Sequence, residues 1–235
     1  GQTFDGKGHT ITISNGAANF NGLFILRGGT IQHLQLNVTS AVLANECGWL
    51  VYGIDSASVT GAYGIVYNVY VNASAGGSIG TNNGGIVGAR AGVRSNGSSY
   101  VTGSSTYNLN VIDSKYYGPI SSGGGGILGK YSSNVTGLND GSNGGGTILI
   151  ENCVVIASAL GIDSGGIVGS FMGKDYNGNN NNIKKCIVVG SPTGNSTGGF
   201  VATDSYCNIT DSYSLYNMTG TNSGGFYQKK AHGTI

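Results

Sequence analysis

A short phrase, glycine followed by two apolar residues, recurs along the chain and constrains its fold more than any other feature. It reads "SGGIVGSFMG" from Ser164, and similar phrases begin at Asn83, Gly124 and Thr197. A loop that binds phosphate is normally used once in a domain, whereas this phrase returns every few dozen residues. The repetition therefore predicts that the phrase builds the fold.

The glycine before each apolar pair marks the repeat. Successive glycines lie 26, 37, 41, 40, 33 and 26 residues apart, and the insertions consist mostly of Gly, Ser and Asn, which favour loops. We expect these glycines to form corners, because a side chain would collide there with the next repeat. The predicted corner glycines are Gly22, Gly48, Gly85, Gly126, Gly166, Gly199 and Gly225.

A second phrase between the glycines has the alternation of a half-buried strand. Examples are "IENCVVIAS" from Ile150 and "IKKCIVVGS" from Ile183. No segment carries the apolar stripe of a helix, so parallel strands must be stacked by winding around a common axis. The sequence predicts an all-β fold, a single β-solenoid domain over residues 1–235 with about seven irregular rungs and projecting Gly/Ser/Asn-rich loops.

Alignment of the strand phrases predicts one interior column of mostly small or polar residues. Its predicted members are Leu34, Asn68, Ser114, Cys153, Cys186 and Ser212. Cα atoms of consecutive members are expected about 4.8 Å apart, a distance that a disulfide permits. Cys153 and Cys186 are therefore a disulfide candidate, and a pair of stacked free thiols is the equal alternative.

The remaining cysteines and the charges limit the classes of partner. Cys47 and Cys207 have no aligned partner, and no Cys/His spacing suggests zinc, so we expect no metal and no cofactor. Charged residues make up 9% of the chain and the net charge is +1, which predicts no nucleic-acid partner. No apolar run approaches the roughly 20 residues of a membrane helix, so no membrane insertion is expected.

Asn-X-Ser/Thr sequons are frequent, and they bear on localisation. A chain rich in Asn, Ser and Thr contains some sequons by chance, but use of any of them implies a secreted protein. We therefore expect an extracellular location, or display on a cell or virion surface. The N-glycosylation candidates are Asn37, Asn72, Asn96, Asn134, Asn195, Asn208 and Asn217.

Catalysis on a sugar requires two carboxylates about 5 to 9.5 Å apart. The ten acidic residues are scattered, and the aligned Asp113 and Asp211 lie three predicted rungs apart, which is about 14 Å by strand spacing. We therefore predict no catalytic residues and no enzyme. Seven tyrosines cluster around the predicted strands, either as half-buried packing, which is the favoured interpretation, or as an exposed aromatic row suited to sugar stacking. They are Tyr63, Tyr67, Tyr70, Tyr116, Tyr117, Tyr213 and Tyr216.

The unit "IENCVVIASALGIDSGGIVGS" resembles the GLUG-type repeats of bacterial and protist surface proteins. The opening "GQTFDGKGHTITI" resembles the first rung of many right-handed parallel β-helices. The resemblance implies a right-handed coil and a setting such as an adhesin, a surface protease outside its catalytic domain, or a viral fibre. Neither terminal stretch shows a polar cap, which predicts continuation of the same chain or end-to-end self-association.

These observations predict a structural or adhesive extracellular glycoprotein, a rod-like subunit of a surface filament, fibre or stalk. A glycan or a cell-surface molecule is a possible partner. The alternatives are a carbohydrate-active β-helix enzyme, such as a polysaccharide lyase or hydrolase, and a glycan-binding module. A cluster of carboxylates in one groove would favour the enzyme, whereas dispersed carboxylates would favour the rod.

Overall fold

The computed structural model describes residues 1–14, 17–54, 63–75, 77–89, 91, 108–130, 132, 146–173, 181–190, 195–217, 219–228 and 235. Most of the predicted projecting loops, at 92–107, 133–145 and 174–180, lie outside these ranges. The described part of the chain contains strands and turns but no helix, so the all-β prediction is confirmed.

The strands are short, and nearly all of them carry β-branched or aromatic residues. In chain order they are β1 (Thr3–Asp5), β2 (Thr10–Ile13), β3 (Ala17–Phe20), β4 (Phe24–Leu26), β5 (Gly29–Val38), β6 (Ala41–Leu43), β7 (Val51–Ile54), β8 (Tyr63–Asn72), β9 (Gly77–Ile79), β10 (Asn108–Ile112), β11 (Lys115–Ile120), β12 (Ile148–Glu151), β13 (Val154–Leu160), β14 (Asn182–Lys184), β15 (Ile187–Gly190), β16 (Asn208–Thr210) and β17 (Tyr213–Tyr216).

Each strand pairs in parallel with the equivalent strand of the next repeat. β1 and β2 both pair with β5, and β5 pairs with β8. From β8 the sheet continues along two branches, β10-β12-β14-β16 and β11-β13-β15-β17, which makes a curled sheet of twelve strands. Two small parallel sheets, β3-β6-β9 and β4-β7, complete the pairing between described strands. This arrangement is compatible with a β-solenoid.

We number the repeats as layers from the N-terminus. Layer 1 contains β1 to β4, layer 2 contains β5 to β7, and layer 3 contains β8 and β9. Layers 4, 5, 6 and 7 contain β10 with β11, β12 with β13, β14 with β15, and β16 with β17, respectively. The first branch consists of β10, β12, β14 and β16, together with the residues of earlier strands that continue this ladder. The second branch consists of β11, β13, β15 and β17, together with the residues of earlier strands that continue that ladder.

The core is formed by side chains that face inward from both branches. The register of the first branch stacks β-branched residues on each other, because alternate residues of a strand face the same side. Burying each of these side chains contributes roughly 1.5–3 kcal/mol. The inward column of the first branch contains Ile31, Val66, Val111, Ile150, Ile183 and Ile209, all buried.

The two branches meet at a turn where each layer from layer 2 to layer 7 has a residue in the left-handed region. These residues have φ between 49° and 53° and are His33, Asn68, Asp113, Asn152, Lys185 and Asp211. The predicted interior column was therefore wrong at Asn68, since Val69 pairs with Leu34 and Asn68 is an exposed turn residue. Asn and Asp tolerate this backbone conformation better than β-branched residues do.

The repeated glycine phrase lies at a second corner. Isolated parallel bridges join Gly48, Gly84, Gly125, Gly165, Gly198 and Gly224 from layer to layer. Gly48 is therefore equivalent to Gly84, one position before Gly85, which was its predicted equivalent. In layer 2 the position of Gly85 is occupied by Trp49. The slip arose because layer 2 has a single glycine where the later layers have two.

The second glycine of the pair is required by packing from the opposite side of the coil. A Cβ atom at Gly85 would lie 2.5 Å from the Tyr116 ring, and one at Gly166 would lie 2.5 Å from Val188 Cγ1 and 2.1 Å from the Gly199 carbonyl oxygen. Real Cβ atoms do not approach backbone and ring atoms this closely. The inward side chains of the second branch thus pack directly on the glycine corner.

This packing can be tested with a matched pair of substitutions. We expect Gly166→Ala to lower the free energy of unfolding by about 3 kcal/mol, because the new methyl group overpacks a closed corner. Gly225→Ala is the control, because a Cβ atom there meets no atom within 4 Å, and it should change stability by less than about 0.5 kcal/mol. Urea unfolding of both variants measures the difference, and equal effects would contradict this account of the corner.

Candidate functional site

The outer face of the second branch carries two columns of outward side chains. Both columns are polar in layer 2 and apolar in layers 5 to 7. The first contains Gln35, Tyr70, Lys115, Val154, Ile187 and Tyr213. The second contains Asn37, Asn72, Tyr117, Ile156, Val189 and Leu215.

A groove opens on this face beside the left-handed turn, at the level of layers 3 and 4. Its cavity volume is about 350 Å³. We call it the outer groove. Its walls combine aromatic, polar and apolar residues, of which Val69 and Tyr116 have buried side chains. The residues that line it are Gln35, Asn68, Val69, Tyr70, Asp113, Lys115, Tyr116, Tyr117, Val154 and Ile156.

Some polar side chains of the outer groove are already hydrogen-bonded within the protein, and others are not. Asp113 Oδ1 accepts a hydrogen bond of 2.5 Å from Asn152 Nδ2, and Gln35 Oε1 accepts one of 3.4 Å from Thr10 Oγ1. The side chains of Asn68 and Lys115 make no hydrogen bond or ion pair with another described residue. The groove therefore offers both donors and acceptors to a ligand.

The outer groove contains one carboxylate, Asp113, among its described lining residues. Asp211 occupies the same turn position but in layer 7, three layers away. Hydrolysis of a glycosidic bond needs a pair of carboxylates close to the bond. The arrangement is thus suited to binding a molecule through hydrogen bonds and ring contacts, and it lacks a carboxylate pair within the described lining.

Two other charged clusters lie beside the turns, and the one at Asp5 is exposed while the one at Glu151 is half-buried. Asp5 accepts hydrogen bonds from the backbone N–H of Lys7 (2.8 Å) and from Gln32 Nε2 (3.0 Å), and His33 Nδ1 lies 3.2 Å away. The hydrogen bond from Lys7 is the main cause that lowers the pKa of Asp5. Glu151 forms an ion pair of 3.1 Å with Lys184. No metal-binding group of His, Cys, Asp or Glu occurs within the described ranges.

The cysteine pair lies in the interior column, next to the left-handed turn. The backbone N–H of Cys153 donates to Cys186 Sγ (3.5 Å), and the N–H of Cys186 donates to Ser212 Oγ (3.1 Å). In the same way the N–H of Val69 donates to Ser114 Oγ (3.2 Å). Side chains of the next layer therefore accept hydrogen bonds from backbone N–H groups at the turn. The Cys186 thiol is the acceptor in one layer, and serine hydroxyls are the acceptors in others.

The predicted stacking of Cys153 on Cys186 in consecutive layers is confirmed by this contact and by the strand register. Both cysteines are free thiols in the structure, so the disulfide stays a prediction. Burial raises the pKa of Cys153 well above its usual value. Cys47 and Cys207 are also buried and free, and burial raises the pKa of Cys207 to about 12.

The glycosylation candidates have different surroundings. Asn37 and Asn72 are direct neighbours on adjacent strands of the outer face. Asn208 is half-buried in β16 beside Asn182, whereas Asn195 and Asn217 are exposed outside the strands. Asn96 and Asn134 lie outside the described residues.

The tyrosines divide between the core and the surface. Tyr116 is fully buried, and its hydroxyl donates to the Pro119 carbonyl. Tyr213 is exposed, while Tyr70 and Tyr117 are half-buried in the walls of the outer groove. The sequence offered Tyr70 and Tyr117, together with five other tyrosines, either as half-buried packing or as a sugar-stacking row, and it missed their neighbours Lys115 and Gln35. The alternation of residues in the aligned strand phrases is the signal that places them on one face.

The structure thus defines an all-β protein with a curled parallel sheet and an aromatic groove on its outer face. Comparison with protein-family models, with curated proteins and with solved structures finds no match for this chain. In the ranges that the structure describes, no helix is long and apolar enough to cross a membrane.

The hydrogen bond to Cys186 Sγ gives a test of the interior column. We expect Cys186→Ser to change the free energy of unfolding by less than about 1 kcal/mol, because a hydroxyl accepts the same bond. Cys186→Ala leaves the N–H of Cys153 buried without an acceptor and should cost about 1–3 kcal/mol. Chemical unfolding under reducing conditions measures both.

Counting thiols with Ellman's reagent in denaturant, without reductant, provides the control for the wild-type chain. Free thiols at all four cysteines match the structure. A count of two, restored to four by reductant, would show that one disulfide forms, and peptide mapping would show whether it joins Cys153 to Cys186. Equal destabilisation by Ser and by Ala in reductant would contradict the proposed role of the side-chain acceptor.

Proposed function

We propose that this chain is a right-handed parallel β-helix that serves as a structural or adhesive rod, as part of an extracellular filament, fibre or stalk. The observation that carries the proposal is the register, which stacks equivalent residues from layer 1 to layer 7. Continuous parallel ladders resist bending because each layer is hydrogen-bonded to the next along its strands. The mechanism is mechanical support with side chains presented outward.

The right-handed coil follows from a general rule of chain connection. When a strand is connected to a parallel neighbour in the same sheet, the connection is right-handed in about 98% of cases. β5 and β8 are such neighbours, as are β8 and β10. The same rule applied to every layer gives a single right-handed winding, in agreement with the resemblance of the first residues to β-helix openings.

The surface supports a role without a charged partner. The net charge is +1, and the ion pair of Glu151 with Lys184 is one of few between described residues. A rod with so little charge depends on hydroxyl and amide groups for its hydration, and attached glycans would add to it. Sequons on the outer face, at Asn37 and Asn72, support an extracellular location.

The two ends of the large sheet suggest how rods assemble. In the described structure β1 and β2 have no partner on one side, and neither do β16 and β17 at the other end. Unpaired strand edges favour pairing with further strands. A second copy with its layer 1 stacked on layer 7 would extend both branches and would bring Lys7, in the turn between β1 and β2, near Asp211, in the turn between β16 and β17. Continuation by another segment of the same polypeptide would fill the edges equally.

Charge reversal tests the stacking of copies. We expect the 235-residue chain to form elongated particles at high concentration, seen by negative-stain microscopy and sedimentation velocity. Lys7→Glu places two carboxylates together and should raise the concentration needed for assembly about fivefold, since an exposed ion pair contributes up to about 1 kcal/mol. The double variant Lys7→Glu with Asp211→Lys is the control, because it restores the opposite charges and should restore assembly. A chain that stays monomeric at every concentration would contradict end-to-end stacking of this chain.

Glycan occupancy tests the extracellular assignment. Asn37 and Asn72 are on adjacent strands, which lie about 4.8 Å apart. Two glycans attached so close together would compete for the same space. After secretion from a eukaryotic host, we expect intact-mass and glycopeptide spectra to show molecules modified at one of the two but rarely at both. Asn217, exposed and far from other sequons of the outer face, is the reference site. Absence of glycan from every sequon would argue against a glycoprotein.

A glycan-binding role is the second candidate function, and the outer groove is the observation that favours it. The carbohydrate-active enzyme has no such support, because the described lining of the groove has the single carboxylate of Asp113.

A further inference from the structure

We propose that the outer groove binds a neutral saccharide, with two consecutive sugar rings placed against Tyr70 and Tyr117. The cavity volume of about 350 Å³ is at the lower end of the range of small-molecule sites. The groove is lined by residues of layers 2 to 5, so it lies away from both ends of the sheet. Saccharide binding in the outer groove therefore does not depend on whether the chain acts as a rod.

The two tyrosines provide the stacking surface. Tyr70 pairs with Lys115, and Tyr117 is two residues further along the same strand as Lys115. The two residues are therefore diagonal neighbours on one face, and the strand spacing and the rise over two residues place such positions about 8 Å apart. This separation suits two linked sugar rings. Both tyrosines are half-buried, so part of each side chain is held by the protein and part remains accessible to a ligand.

The polar groups around the rings match the chemistry of sugar hydroxyls. Asp113 accepts hydrogen bonds, Lys115 donates them, and the Asn68 amide does both. Asn152 holds the Asp113 carboxylate in place through its hydrogen bond of 2.5 Å. A hydroxyl group can donate to one partner and accept from another, so a polyhydroxylated molecule can satisfy all of these groups at once.

The charge of the groove favours a neutral ligand. Its one carboxylate, Asp113, and its one ammonium group, Lys115, balance within the described lining. A uronate would be repelled by Asp113, and an amino sugar with a free amine by Lys115. A purely apolar molecule would leave the Lys115 ammonium without a partner and would give Asp113 none beyond Asn152. Val154 and Ile156 add an apolar flank that suits the C–H face of a sugar.

A glycan on the protein itself could interfere with the site. Asn72, a glycosylation candidate, pairs directly with Tyr117. The experiment therefore uses the 235-residue chain produced in bacteria, which leaves this sequon unmodified. The probes are hexasaccharides of β-1,4-linked glucose, β-1,4-linked N-acetylglucosamine, β-1,4-linked xylose and α-linked mannose, with hexagalacturonate as the anionic comparison.

Binding is measured by isothermal calorimetry and by NMR shifts of the protein. We expect at least one neutral hexasaccharide to bind, and hexagalacturonate to bind at least tenfold more weakly. Tyr70→Ala and Tyr117→Ala should each weaken binding about tenfold, because each removes one stacking contact. Tyr117→Phe should keep most of the affinity, since the ring remains.

Tyr213→Ala is the matched control. Tyr213 belongs to the same outward column as Tyr70, but it lies in layer 7, outside the groove. This variant should bind as the wild-type chain does, and thermal unfolding should show that all variants are folded. Failure of every neutral probe to bind, preference for the uronate, or equal losses for Tyr213→Ala and Tyr70→Ala would overturn the proposal. Assembly into rods is measured separately, so loss of either property leaves the other testable.

Discussion

The structure depends on one constraint, the in-register pairing of each layer with an equivalent segment of the next. Because the strands are parallel and aligned, a residue contacts its own counterpart above and below, about 4.8 Å away. Every position must therefore suit a neighbour of the same kind. Isoleucine and valine meet this condition in the inward column of the first branch, from Ile31 to Ile209.

The same constraint explains the two kinds of corner. At the left-handed turn the backbone leaves its ladder, so the small side chains of Ser114, Cys186 and Ser212 accept the N–H groups of the preceding layers. At the glycine corner the backbone lies against inward side chains of the second branch, such as Val188, and no Cβ fits. The residues of the left-handed turn are set by the need to satisfy backbone N–H groups, and those of the glycine corner by the lack of space for a side chain.

Outward-facing residues need not pack in the core against a counterpart of the same kind. The residues that could bind a partner therefore lie on the outer face. The second branch changes from Gln35 and Asn37 in layer 2 to Tyr213 and Leu215 in layer 7 without disturbing the core. The outer groove lies where this face changes character, so that Tyr70, Lys115 and Tyr117 stand beside the polar turn. A regular core with a variable outer face is how repeat proteins combine rigid support with recognition.

The sequence by itself determined the strand class, the repeat and the stacking of Cys153 on Cys186, because alternation and recurrence are local properties that any in-register stack must preserve. It misplaced Asn68 and Gly48 by one residue, since a single residue of slip leaves the composition of a phrase unchanged but reverses which side each residue faces. Only the tertiary structure decided that Tyr116 is core while Tyr117 is surface, and that Asn68, Lys115 and Tyr70 share one groove. Asn68 and Tyr70 belong to layer 3 and Lys115 to layer 4, and their proximity follows from the register between these strands, which no single segment contains.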